Sequence, residues 1–183
     1  MNIVVLGLGN TIRTDDGLGV HAIRKLSAEM VLPPDVRIID GGTLGLDLLP
    51  NLQGVTHLLA LDAVDSRNSP GTLSRFADED LADLPMSKSV HLLGLSDLLG
   101  AMNLLGCAPR KVVLLGLQPK STDWGTGLTF EVEARLKDLV EAAHGEISTW
   151  LNRERGREPV GEHSAEVLRA FDHTCSSDAI DLI

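Results

Sequence analysis

Tyrosine is absent from the sequence, and aromatic residues make up only 3% of it. A core built with so few rings must be aliphatic, and Leu, Val and Ile supply it. Cysteine is equally scarce. Cys107 and Cys175 lie far apart and form neither a disulfide framework nor a C-x-x-C pair. No stretch approaches the roughly 18 uncharged apolar residues that read as a membrane span. No basic segment followed by an apolar one opens the chain, so no secretory signal is expected. Positive charge is short as well: 16 Lys and Arg face 26 Asp and Glu, a net charge of −10, with no basic cluster to offset it. Such a field repels nucleic acid and anionic membranes. These absences predict a cytoplasmic protein with no nucleic-acid or membrane partner.

What is there is a chain of 183 residues, 43% of them hydrophobic, long enough for one domain with a self-sufficient core. Apolar runs alternate with helical periods. "NIVVLGL" (2–8) reads as a buried strand. Residues 16–30 carry Val20, Ile23, Leu26 and Met30 at helical spacing. "VRIID" (36–40) is a second strand, "TLGLDLLPNL" (43–52) a short helix and "HLLALDAV" (57–64) a third strand. The alternation implies βαβ units and a parallel sheet. Only "DSRNSPG" (65–71) separates the third strand from "TLSRFA" (72–77). A parallel neighbour needs a dozen or so connecting residues, so this fourth strand is predicted to run antiparallel. A leucine-rich helix (91–106), a fifth strand (111–119) and a long closing helix (129–152) complete the pattern. The expected fold is a three-layer α/β/α sandwich around a mixed, mostly parallel five-stranded sheet, spanning residues 1–153. Residues 154–183 hold seven acidic and three basic residues and read as a flexible acidic tail.

One segment is at odds with its own shape. "GLGNTIRTDDGLGV" (7–20) is a glycine-rich turn between a strand and a helix, the usual place for a phosphate on free backbone N–H groups. Yet Asp15 and Asp16 stand where the anion would sit, and Ile12 occupies the third glycine position of a G-x-G-x-x-G fingerprint. Asp40 ends the second strand, where a ribose-binding acid could lie. Two like charges 4 Å apart repel by about 4 kcal/mol at an effective dielectric of 20, so the two carboxylates suit a cation better than a pyrophosphate. Helix capping is the plainer alternative for either acid.

Other candidate ligands converge on the same rim. Asp62 ends the third strand, where α/β proteins place their sites, although a turn-forming role is the competing reading. The fifth strand must begin at the amino edge to run parallel with the first. The helix feeding it therefore begins at the carboxyl edge, and His91 opens that helix. An imidazole at a helix N-terminus tends to stay neutral, able to donate a lone pair; an ordinary solvated helix start is the alternative. Asp16, Asp62 and His91 would form an O/O/N set suited to Ni, Zn, Fe or Mn. H-E-x-x-H is absent, and no Ser or Cys stands with a plausible His partner in these segments.

Taken in order, "GLGNTIRTDDGLGV", "IIDGGTLGLDLL", "LLALDAV" and "HLLGLSDLL" resemble the successive signature blocks of the nickel–iron hydrogenase maturation endopeptidases, over residues 2 to about 150. The resemblance implies an enzyme that removes the C-terminal extension of the hydrogenase large-subunit precursor once nickel is inserted. It implies that Asp16, Asp62 and His91 are the nickel-binding and catalytic residues, with nickel supplied by the substrate's metal centre. A metal so held can polarise a scissile carbonyl, and one of the carboxylates could act as general base. Asp40, Gly41 and Gly42 are expected to shape the cleft wall, and the protein is expected to be a monomer. Two other readings compete: a non-enzymatic nickel-binding chaperone with the same three ligands, and a nucleotide-binding α/β protein using the G-x-G turn.

Overall fold

The apolar runs become the centre of a sheet. In the computed structural model, which describes residues 1–81, 90–154 and 156, β1 (Ile3–Leu8) and β3 (His57–Ala63) are buried at every residue. β5 (Lys111–Leu117) is buried from its second residue on. Strands buried on both faces need uninterrupted apolar sequence, which is what these three have. The edge strands β2 (Val36–Gly42) and β4 (Leu73–Ala77) mix buried and exposed positions. The order is β2-β1-β3-β5-β4. β1 pairs in parallel with β2 and with β3, β3 pairs in parallel with β5, and β4 is antiparallel to β5. The short connection through residues 64–72 thus reverses the chain as its length predicts.

The helices cover both faces. On one face, α2 (Val90–Leu104) and a 3-10 helix (Gly45–Leu52) pack on the sheet. Leu95, Leu98 and Met102 meet Leu48 and Leu52 over Val4, Leu6, Leu58, Ala60 and Leu114. On the other face α1 (Leu18–Glu29) lies across β1, β2 and β3. The part of the last helix, α4 (Leu136–Glu154), up to Ile147 also lies there, where Glu146 pairs with Arg75 of β4. Its Leu136, Leu139, Val140, Ala143 and Ile147 are buried. Met1–Ile147 form one compact unit. The expected acidic tail lies outside the described residues except for Glu154 and Gly156. Among the described residues, no helix is long and apolar enough to cross a membrane.

The short helix read at 43–52 is a 3-10 helix over Gly45–Leu52; Pro50 inside it lacks an N–H to donate, which fits a short, tight helix. Two elements differ from the pattern read in the sequence. The first helical segment opens with a 3-10 turn (Thr14–Gly17) before α1 begins. The closing helix is divided into α3 (Phe130–Glu133) and α4. At the division Arg135 N donates to Val132 O, a three-residue closure in place of a four-residue one.

The site-bearing loop is set by how closely α1 approaches the strand ends. A Cβ on Gly19 would collide with the carbonyl oxygens of Leu61 and Leu8 and lie 2.6 Å from Leu8 N. From the other side, a Cβ on Gly7 would lie 2.5 Å from Gly19 O. Helix backbone therefore rests directly on the carboxyl ends of β1 and β3. Gly19→Ala is expected to cost about 3 kcal/mol, the upper part of the usual range for forcing a methyl into packed structure. Gly100→Ala meets nothing within 4 Å at an exposed position of α2 and should stabilise by about 0.5–1 kcal/mol. Urea unfolding of both variants checks the opposite signs.

Candidate active site

The strand order reverses between β1 and β3, and a cleft of about 660 Å³ opens beside their carboxyl ends. Leu8, Ala63 and Gln118 reach it from the ends of β1, β3 and β5. Asn10, Arg13 and Asp16 come from the glycine-rich loop, Gly42 and Thr43 from the end of β2, and Gly94, Leu95 and Leu98 from the first half of α2. Lys120, Ser121 and Thr122 form a further wall. This is the switch-point crevice where α/β sheets hold ligands.

The glycine-rich loop is not an anion cradle. Gly9 N donates to Gly42 O at 2.9 Å, Asn10 N to Asp16 O at 3.1 Å and Arg13 N to Asn10 O at 3.0 Å. Ile12 N donates to the Asn10 side-chain oxygen at 3.2 Å. Thr14 N, Asp15 N and Asp16 N donate to Gly125 O, Ser121 O and Arg13 O. A phosphate would have to displace these bonds one by one. Gly9 itself is required by conformation, with φ at +125° and its Cα facing the Asp16 carbonyl so closely that no Cβ fits. The glycines serve a tight internal turn, and the turn presents Asp16.

The two adjacent acids have different positions. Both stand in the first turn of the 3-10 helix that leads into α1; the N-cap residues of the two helices are Arg13 and Gly17. Asp15 is fully buried and hydrogen-bonded to the segment after β5. Asp16 is half-buried and lines the cleft. Asp62 is fully buried at the end of β3, its Oδ1 accepting from Ala63 N at 2.8 Å. By strand alternation it shares the face of Leu58 and Ala60, which α2 covers. His91 stands in the first turn of α2, whose Gly94 and Leu95 line the cleft, while its side chain lies outside the described residues. Among the described residues, no group of three or more His, Cys, Asp or Glu side chains is gathered to hold a metal ion.

The second-strand residues divide. Gly42 lines the cleft, Gly41 packs under Leu6, and Asp40 pairs on the surface with Arg24 at 3.4 Å. Asp40 therefore does not line this cleft. Sequence reading overlooked the wall after β5. Gln118, 8% exposed, accepts from Ser66 N at 2.8 Å and Asn68 N at 3.2 Å and donates to Asp65 Oδ1 at 3.0 Å. It fixes the turn that follows Asp62. Its position just beyond a parallel strand's carboxyl end was the available signal. Beside it Lys120 Nζ donates to Glu131 Oε1 at 2.6 Å, and this bond holds the Glu131 carboxyl below its ordinary range.

Residues 20–146 match the family model described as hydrogenase maturation protease. The chain belongs to the hydrogenase maturation protease family. The matched range takes in Asp62 and His91 and starts just after Asp16. Among relatives of this family, the hydrogenase 2 maturation protease of Escherichia coli K12 is 41% identical over 143 residues, 77% of this chain and 87% of that one. The hydrogenase expression/formation protein HupD of Rhodobacter capsulatus is 35% identical over 81% of this chain and 72% of its own length. In three dimensions the hydrogenase maturating endopeptidase HybD from E. coli superposes with a TM-score of 0.77 at 39% identity, covering 85% of this chain and 94% of that chain. HybD from Thermococcus kodakarensis gives 0.68 at 27% identity over 80% and 99%. The mixed sheet with its antiparallel edge is thus the fold of these proteases.

Because the loop amides are already engaged, a maturation protease of this build should not bind nucleotides. Titration calorimetry with NAD or ATP is expected to show no saturable heat; a Kd tighter than about 1 mM would restore the nucleotide reading.

Proposed function

We propose that this protease removes a C-terminal extension from the nickel–iron hydrogenase large-subunit precursor after nickel insertion, and that Asp16, Asp62 and His91 recognise the inserted nickel. The observation that carries the reading is Asp16 on the cleft wall, in a chain of this family, beside the strand end that bears Asp62. Two carboxylates and an imidazole form a donor set that nickel accepts. Nickel in this reading is part of the substrate, and it would supply Lewis acidity at the scissile carbonyl. The protein's own share is to hold that metal centre at the mouth of the cleft and to lay the adjoining peptide along it. Asp16, less buried than Asp62, is the carboxylate we assign as general base toward the attacking water. Asp62, fixed by Ala63 N, is the rigid member that sets register.

The burial of Asp62 changes which substitutions are informative. Truncation to Ala would leave a hole and an unanswered N–H, so Asp16→Asn, Asp62→Asn and His91→Ala are the variants of choice. Each is expected to slow release of the C-terminal fragment by about 10²-fold or more, the usual weight of an acid–base group, with thermal unfolding close to that of the parent. Mass spectrometry of nickel-loaded precursor incubated with the protein should show the fragment, and nickel-free precursor should stay intact. Equal cleavage of both precursors would remove nickel recognition from the model. No cleavage of either would favour a nickel-binding chaperone.

A further inference from the structure

Asp15 has no part in the chemistry proposed above, yet it is the more deeply buried of the two acids, with no exposure at all. Among the described residues it has no cationic partner. A carboxylate in that position is tolerated only if several donors point at it. Four do. Oδ2 accepts from Lys120 N at 2.9 Å, Ser121 N at 3.1 Å and Thr129 Oγ1 at 2.8 Å, and Oδ1 accepts from Thr129 N at 2.7 Å. One side chain thereby grips both ends of the segment 120–129, whose first three residues form a wall of the cleft.

The flanking backbone adds to the grip. Thr14 Oγ1 donates to Ser121 O at 2.6 Å, Thr14 N to Gly125 O at 3.0 Å and Gly125 N to Ile12 O at 3.1 Å. Asp15 and Asp16 are successive residues of a single 3-10 turn. The wall is therefore tied to the turn that bears Asp16, and the two sides of the cleft are joined. We propose that Asp15 is a positioning residue for the proteolysis: its buried carboxylate holds segment 120–129 as a preformed wall for the substrate peptide. This inference rests on the endopeptidase reading given above.

Asp15→Asn puts an amide N–H₂ or a single acceptor oxygen where donors converge, so part of the grip is lost with little change of volume. Hydrogen exchange at the Lys120, Ser121 and Thr129 amides is expected to quicken about tenfold, while amides of β1 and β3 keep their protection. With nickel-loaded precursor as substrate, KM should rise about tenfold and kcat stay within about threefold, the signature of lost binding rather than lost chemistry. Thr129→Val removes one donor only and should raise KM about threefold with the same pattern; it carries the test if Asp15→Asn does not fold. Faster exchange with unchanged KM would overturn the proposal, as would a fall in kcat at constant KM. Unchanged exchange in both variants would overturn it as well. If the unsubstituted protein does not cleave the precursor, the fault lies in the functional reading, and the positioning role falls with it.

Discussion

The backbone contact between α1 and the carboxyl ends of β1 and β3 is the constraint on which the rest of the site depends. Helix and strands usually meet through side chains, with the intervening distance that side chains impose. At Gly19 that distance is removed, and the helix start sits directly on Leu8 and Leu61. The preceding turn then has one place to go, over the point where strand order reverses. Asp16 reaches the cleft because the turn is pressed there, while Asp62 lies buried at the end of β3, the strand on which the helix rests.

The acidic character of this turn finds its reason in a division between neighbours. Asp15 points into protein and satisfies backbone donors from a segment more than a hundred residues further along the chain. Asp16 points to the cleft. Two adjacent carboxylates would ordinarily repel; here one is surrounded by N–H and O–H dipoles and the other borders the open cleft. At Asp15 the charge is made tolerable by hydrogen-bond donors, while Lys120, whose N–H is one of them, sends its ammonium to Glu131.

Much of the architecture was legible. Val4, Val5, Leu58, Leu59, Val113 and Leu114 lie in unbroken apolar runs because both faces of their strands are covered. The length of the 64–72 connection was enough to reverse β4. The rim rule for parallel strands brought out the end of β3, whose Ala63 lines the cleft, and topology brought the start of α2 there. Other features were not legible, for identifiable reasons. The Asp15 partners, Lys120, Ser121 and Thr129, are backbone donors and one hydroxyl, and backbone leaves no mark in a sequence. The division at Ala134 and Arg135 interrupts a helical period without any Pro or Gly to announce it. Pro50 was visible, but a proline alone does not separate a 3-10 from an α-helix in a sequence. The loop glycines looked like phosphate ligands because one sequence pattern serves two needs, close backbone approach and amide exposure, and only the hydrogen bonds tell them apart.

The saturated amides of that loop bear on how such a fold could change its chemistry. In related sheet architectures the first turn is a versatile port, because unoccupied N–H groups accept any anionic cofactor that fits. Here the turn is closed upon itself, and its remaining freedom lies in the side chains it turns to the cleft, those of Asn10, Arg13 and Asp16. Neutralising Asp16, or replacing it with a base, would not recover an anion port, since the groups that make one are bonded inward. Diversification would be confined to which metal centre or peptide the cleft accepts, with the scaffold itself closed to the cofactor-driven reactions that similar sheets support.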